Sequence, residues 1–269
     1  MRIINKQLLF LLSFVFFTAC TGKPKQSDPH HLIVGVVAGP EYQLAEAAKK
    51  VALEKFALDV ELVAFNDYIM PNTALDQKDI EVNVYQTRPF LEEQAGQRGY
   101  KFAIVGNTFI YPMAGYSKKI KDISELKEGA TIVVPNDATN EGRALLLLES
   151  KGIIKLAEGR GYAPRLIDIQ DNPLRLRILE LEAPQLPRSL DDSHVDLAVI
   201  NNSFAVKAGL FLQNGVIVED KSSPYVNLIV AREDNQNEEK IKQFVQAYQS
   251  DEVIAAAKEQ FKDGAIPGW

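Results

Sequence analysis

From Leu32 onward, apolar positions follow two alternating rhythms. Leu32 to Val37 is a continuous apolar run of buried-strand type, and Gly39-Pro40 then turns the chain into a helix whose Leu44, Ala48, Val51 and Ala52 share one face. Six further runs read as strands: Val60 to Phe65, Ile80 to Val84, Phe102 to Val105, Thr131 to Val134, Arg165 to Ile169, and Val195 to Ile200. Most are separated by helical or turn-rich segments, which predicts an α/β fold with mainly parallel sheets. Near the C-terminus, Ile241, Phe244, Val245 and Tyr248 fall at the spacing of an amphipathic helix that needs a surface to dock on.

The pattern weakens at two places, the Tyr111 to Lys121 region and Lys221 to Pro224 leading into Tyr225 to Ala231. If the chain crosses between lobes there, residues 32–112 and 225–269 build one discontinuous lobe, and residues 113–224 form the other. A two-lobed body of this kind has a cleft, and clefts between domains hold small ligands.

The N-terminus has a different character. Arg2 and Lys6 precede an apolar run from Leu8 to Phe17 broken only by Ser13, and small residues lead to Cys20, the layout of a bacterial secretion leader. The run is about half the roughly 20 residues needed to span a bilayer, and no later segment is longer or purer, so no membrane-spanning helix is expected in the mature chain. Cys20 is the single cysteine, which excludes an internal disulfide. Its place at the leader's end, in the string FTAC, marks it as a lipidation site: residues 1–19 would be the signal peptide, and acylated Cys20 would hold the protein to a membrane. Residues 20–31, polar and carrying Pro24 and Pro29, read as a flexible tether. Cleavage also removes two positive charges, taking the formal net charge from −6 to −8, which argues against nucleic acid as a partner.

In open α/β sheets, ligands bind beyond the carboxyl ends of the strands. Four of the loops there carry suitable groups: Asn66, Asp67 and Tyr68; Tyr85, Gln86 and Thr87; the run from Pro135 to Arg143; and Asn201 with Asn202. In the third, Thr139 or Asn140 is a natural N-cap, so free amides of a helix start are expected to attract an anion, with Arg143 in the same first turn. A guanidinium there can grip a carboxylate through two parallel hydrogen bonds. For an α-amino group, the side-chain oxygens of Asn201 or Asn227 would serve, and Tyr68 and Tyr85 could wall an apolar side chain.

Enzyme chemistry has little to build on. There is no Gly-x-Ser-x-Gly elbow, no phosphate loop and no His-Glu-x-x-His, and the chain has three histidines in all. His30 and His31 sit on the tether, His194 stands among Asp191, Asp192 and Asp196, and neither arrangement has the spacing of a metal site. No cofactor and no metal are expected.

At these loops the sequence resembles the methionine-binding lipoproteins of the methionine ABC importer, the NlpA lipoprotein family. The likeness runs from about Ile33 to Trp269 through the strings VELVAFNDY, VGNTFIYPMAGYSKKIK, ELEAPQLPRSLDD and VEDKSSPYVNLIVAREDN. The resemblance implies a two-lobed periplasmic-binding-protein fold of type 2, with two crossing segments and a free amino acid held between the lobes. It implies no catalysis, and partners in the permease and ATPase complex of an importer on the periplasmic side of a bacterial membrane. Arg143 would take the carboxylate with Asn140 nearby, Asn201 and Asn227 the polar α-carbon groups, and Tyr68 and Tyr85 the thioether. Where the family usually has Phe-Gln-His, this chain reads Tyr85-Gln86-Thr87, exchanging an imidazole for a hydroxyl and adding a phenol. That departure keeps open a more polar ligand, such as methionine sulfoxide or a methionine-containing dipeptide.

Overall fold

A computed structural model describes residues 28–220 and 223–269; the leader, Cys20 and most of the tether lie outside them. The chain opens with the expected βα unit, β1 (His31–Val37) followed by α1 (Pro40–Phe56). Gly39 joins them at φ 130°, a conformation costly for any residue with a Cβ, and Pro40 starts the helix with its φ already set. Leu44, Ala48, Val51 and Ala52 are all buried, as their spacing predicts. Next come β2 (Asp59–Phe65), α2 (Met70–Asp76), β3 (Val82–Thr87), α3 (Arg88–Arg98) and β4 (Phe102–Ile110).

Residues 111–113 carry the chain into a second sheet. This part holds β5 (Ala114–Tyr116), β6 (Thr131–Pro135), α4 (Ala138–Ser150), β7 (Lys155–Leu156), β8 (Ile169–Asp171) and β9 (Arg177–Leu181). It continues with α5 (Leu186–Ser189), β10 (Leu197–Ile200), α6 (Asn202–Lys207) and β11 (Ile217–Val218). The chain then returns to the first sheet through β12 (Val226–Arg232), α7 (Glu239–Tyr248), α8 (Asp251–Phe261) and β13 (Ile266–Pro267).

The first sheet has the order β13-β4-β12-β3-β1-β2 and the second β11-β5-β10-β6-β9, while β7 and β8 pair by themselves. Only β1 with β2 and β3, and β6 with β9 and β10, run parallel. The expectation of mainly parallel sheets is therefore corrected to mixed ones. The returning strand β12 enters the middle of the first sheet antiparallel to both neighbours, β3 and β4. The strand expected over Arg165 to Ile169 is also corrected. Leu166–Asp168 is a 3₁₀ turn, held by Asp168 Oδ2 accepting from the Arg165 amide at 2.9 Å, and β8 begins only at Ile169.

Each sheet has its own core. In the first, α7 docks on α1 with Ile241, Phe244 and Tyr248 buried and Val245 packed beside them, alongside Val253, Ala257 and Phe261 of α8. In the second, Ile132, Val134, Leu197 and Val199 pack against Ala144, Leu145 and Leu148 of α4. Each fully buried Val, Leu, Ile or Phe among these contributes ~1.5–3 kcal/mol. A further cluster joins the two halves, with Val37, Tyr85 and Phe90 from the first and Ile200, Phe204 and Ala205 from the second. Among the described residues, no helix is long and apolar enough to cross a membrane.

Candidate ligand site between the sheets

Residues at or beyond the ends of β2, β3, β6 and β10, together with one from β12, meet in a single cavity. It is lined by all seven residues that the sequence singles out for a ligand: Tyr68, Tyr85, Thr87, Asn140, Arg143, Asn201 and Asn227. Tyr85, Gln86 and Thr87 stand at the end of β3 itself rather than in a following loop. Gln86 also lines the cavity, but its side-chain amide is committed to protein partners. Its amide exchanges hydrogen bonds with Asn72 and donates to Asn83 Oδ1 at 2.9 Å, in a buried amide network that fastens α2 to β3.

The start of α4 differs from the sequence expectation in a way that matters chemically. Asp137 is the N-cap, and its Oδ1 accepts from the Asn140 amide at 2.9 Å. Aspartate competes well for this role because its carboxylate also complements the helix dipole. The cap thus lies before both Thr139 and Asn140, Arg143 falls in the second turn, and the Asn140 amide, one of those that were to attract an anion, already faces a carboxylate.

Arg143 is instead held by its side chain. It is 5% exposed, and Nε donates to Glu219 Oε1 at 3.0 Å while Nη2 donates to Glu219 Oε2 at 2.5 Å and to the Tyr111 carbonyl at 2.9 Å. The Tyr225 ring lies under the guanidinium, 4.3 Å from ring centroid to Cζ, a cation–π contact. Burial pushes the Tyr225 phenol up to about 12, with Arg143 pulling against the shift.

The asparagines form a directed chain. Asn140 Nδ2 donates to both carboxylate oxygens of Asp137, at 2.9 and 3.0 Å, and Asn140 Oδ1 accepts from Asn201 Nδ2 at 2.8 Å. With its amide nitrogen committed, Asn201 presents Oδ1, which is buried and has no protein partner. Asn227 Nδ2 likewise donates to the Tyr85 carbonyl at 3.0 Å, leaving its oxygen as the free end. Register places Asn227 opposite Thr87 across β12 and β3.

An aromatic cluster supplies the apolar part of the lining. Tyr68 lies 5.9 Å from Tyr85, 6.2 Å from Phe90 and 5.0 Å from Phe204 between ring centroids. Burial pushes the Tyr68 and Tyr85 hydroxyls well above the usual tyrosine range, so both stay neutral. The extra phenol of Tyr85 donates to the Tyr68 carbonyl at 3.0 Å, which ties its proton to the backbone. An apolar or thioether group suits such a cluster, with sulfur–aromatic contacts adding to burial.

A profile of the NlpA lipoprotein family matches residues 32–269. The chain belongs to the NlpA lipoprotein family. It is 58% identical over 245 residues to the D-methionine-binding lipoprotein MetQ of Escherichia coli O157:H7, a match covering 91% of this chain and 90% of that one. A crystal structure of the methionine binding protein MetQ superposes with a TM-score of 0.88 at 58% identity, covering 90% of this chain and 99% of that one. A nutrient binding protein from Burkholderia cenocepacia bound to methionine gives a TM-score of 0.86 at 44% identity, over 88% and 100% of the two chains.

Several residues of this NlpA-family site escape a reading of the sequence. Glu219, the partner of Arg143, lies in an acidic stretch with no distinguishing pattern. Phe90 and Phe204 read as ordinary helical core, and Tyr111 acts through its backbone carbonyl. Glu41 is buried in the first turn of α1, with its carboxylate hydrogen-bonded by the Ser203 hydroxyl, and Ser203 lines the cavity. Its three-residue offset from Leu44 puts it on the buried face of α1, but an acidic residue in a helix's first turn is ordinarily read as solvated. His194, by contrast, lies exposed at the surface, hydrogen-bonded to Asp192 at 3.0 Å.

Proposed function

We propose that this protein is the lipid-anchored substrate-binding component of an ABC importer, capturing methionine between its lobes and presenting it to a membrane permease and its ATPase. It is a binding protein and breaks no bond in its ligand. The observation that carries the reading is one cavity lined by a buried guanidinium, an unpartnered amide oxygen and a cluster of aromatic rings. These match the carboxylate, ammonium and thioether of methionine in turn. In this reading Arg143 grips the carboxylate through the edge that Glu219 and Tyr111 leave, with Asn140 orienting its neighbour. Asn201 and Asn227 accept from the ammonium, and Tyr68, Tyr85 and Thr87 surround the side chain.

The lobe division we propose is residues 32–112 with 225–269, and 113–224. Ligand contacts to both would favour the closed arrangement, in which Tyr68 meets Phe204 and Asn202 Nδ2 donates to the Gly264 carbonyl at 2.6 Å. Cys20 would carry the lipid after removal of residues 1–19, on the periplasmic side of the membrane. Replacing it with alanine should release the protein into the soluble fraction.

Calorimetric titration of ligand-stripped protein against both methionine stereoisomers, methionine sulfoxide, methionine-containing dipeptides and other amino acids tests the function. Methionine should bind at one site per chain. A stronger response to the sulfoxide would favour the second reading, for which Thr87 is the motivating residue; the tie between the Tyr85 hydroxyl and the Tyr68 carbonyl weighs against it. No saturable binding of any of these ligands would leave a surface lipoprotein without a transport role.

A further inference from the structure

Arg143 is built into the place where the chain passes between the two sheets. The Tyr111 carbonyl that accepts from its Nη2 belongs to the outgoing segment, and Glu219, which takes Nε and Nη2 together, begins the returning one. The two segments are also bonded to each other through the same residue. The Glu219 amide donates to the Met113 carbonyl at 2.9 Å, and Glu219 Oε2 accepts from the Met113 amide at 3.0 Å. Glu219 therefore fixes the guanidinium along one edge while being pinned at its own backbone and carboxylate. With Tyr225 covering one face, these contacts leave Nη1 as the nitrogen not engaged by Glu219 or Tyr111.

We infer that Glu219 is the positioning residue of the carboxylate site: it aims Arg143 at the ligand's carboxylate from the returning crossing segment. The inference rests on the methionine-binding reading above. A long arginine side chain without this brace samples several rotamers, and hydrogen bonding to a carboxylate depends steeply on angle.

Two variants separate aiming from general support. Glutamine in E219Q offers one acceptor and one donor, so an oxygen serving Met113 and Nη2 sets an NH₂ group against the Nε hydrogen. E219D keeps the charge and shortens the arm, moving the guanidinium without unpairing it. Affinities for methionine and for methioninamide, which lacks the carboxylate, are measured by calorimetry at pH 6, where both ligands carry an ammonium, with circular dichroism confirming the fold. Methionine should bind each variant about tenfold or more weakly, the scale of a lost charged hydrogen bond. Methioninamide should change by less than about threefold on the same scale. If E219Q does not fold, E219D alone decides. A folded variant that binds methionine as the wild type does overturns the inference, as does an equal loss for both ligands, which would make Glu219 a structural strut. If the wild type itself fails to bind methionine, the functional reading fails instead.

Discussion

Replacing Glu41 with glutamine should remove a specific pH dependence of stability. Glu41 is 3% exposed, and burial pushes its carboxyl from 4.5 up to about 8, with only the Ser203 hydroxyl opposing the shift. Its position at the start of α1 favours an anion, yet desolvation outweighs that help. In the folded chain the group stays protonated through neutrality, whereas in the unfolded chain it ionises near 4.5. Between those values the folded state holds one extra proton, so stability is highest below the lower value and falls as pH rises towards the upper one. The limiting slope is about 1.4 kcal/mol per pH unit, or on the order of 2–3 kcal/mol from pH 5 to pH 7. For a domain of this size that corresponds to roughly 5–10 °C in Tm. Thermal melts of wild type and E41Q from pH 5 to pH 8 give a difference curve in which the other titrating groups cancel. Wild type should lose ground to the variant steadily with rising pH. A flat difference, or one of opposite sign, would show that Glu41 is ionised in the folded protein and that the burial argument is wrong.

Other perturbations test other parts of the structure. A Cβ added at Gly142 would lie 2.7 Å from both the Ala163 Cα and the Tyr162 carbonyl oxygen, so G142A should cost ~1–3 kcal/mol in chemical denaturation despite alanine's better helix propensity. Because α4 also carries Asn140 and Arg143, its methionine affinity should fall as well. Asn72→Ala strips partners from buried Gln86 and Asn83, and urea denaturation should show a loss of about 2 kcal/mol or more. Thr87→His introduces the imidazole that the family resemblance implies at this position, and should tighten methionine binding about fivefold, the effect of one added aromatic contact. Unchanged binding by titration would place the ligand's side chain elsewhere.

Local patterning made the first βα unit and α7 legible, since a buried strand and a helical stripe each state their own burial. It also singled out seven candidate residues that line one cavity, most of them at or beyond the carboxyl ends of strands, with Asn227 inside β12. What it missed depends on distant partners. The Tyr225 to Ala231 run shows no sign of lying between β3 and β4, whose residues are more than a hundred positions away. The N-cap shifted to Asp137 because an aspartate two or three residues upstream outcompetes Thr139 and Asn140, a local contest that patterning alone leaves open. Glu219 and Glu41 acquire their roles only when the crossing segments and the two lobes meet; the helical register puts Glu41 on the buried face of α1, but nothing nearby names its Ser203 partner.

The central claim is that a guanidinium held between two lobes neutralises the carboxylate of a small amino acid. Its most direct test is the dissociation constant of methionine for wild type and for Arg143→Ala, measured by calorimetry on ligand-stripped protein. The loss of one or two charged hydrogen bonds, about 1.5–3 kcal/mol each, predicts a weakening on the order of a hundredfold. The bare Glu219 carboxylate left behind should deepen it. Affinity retained within a few-fold would contradict the account.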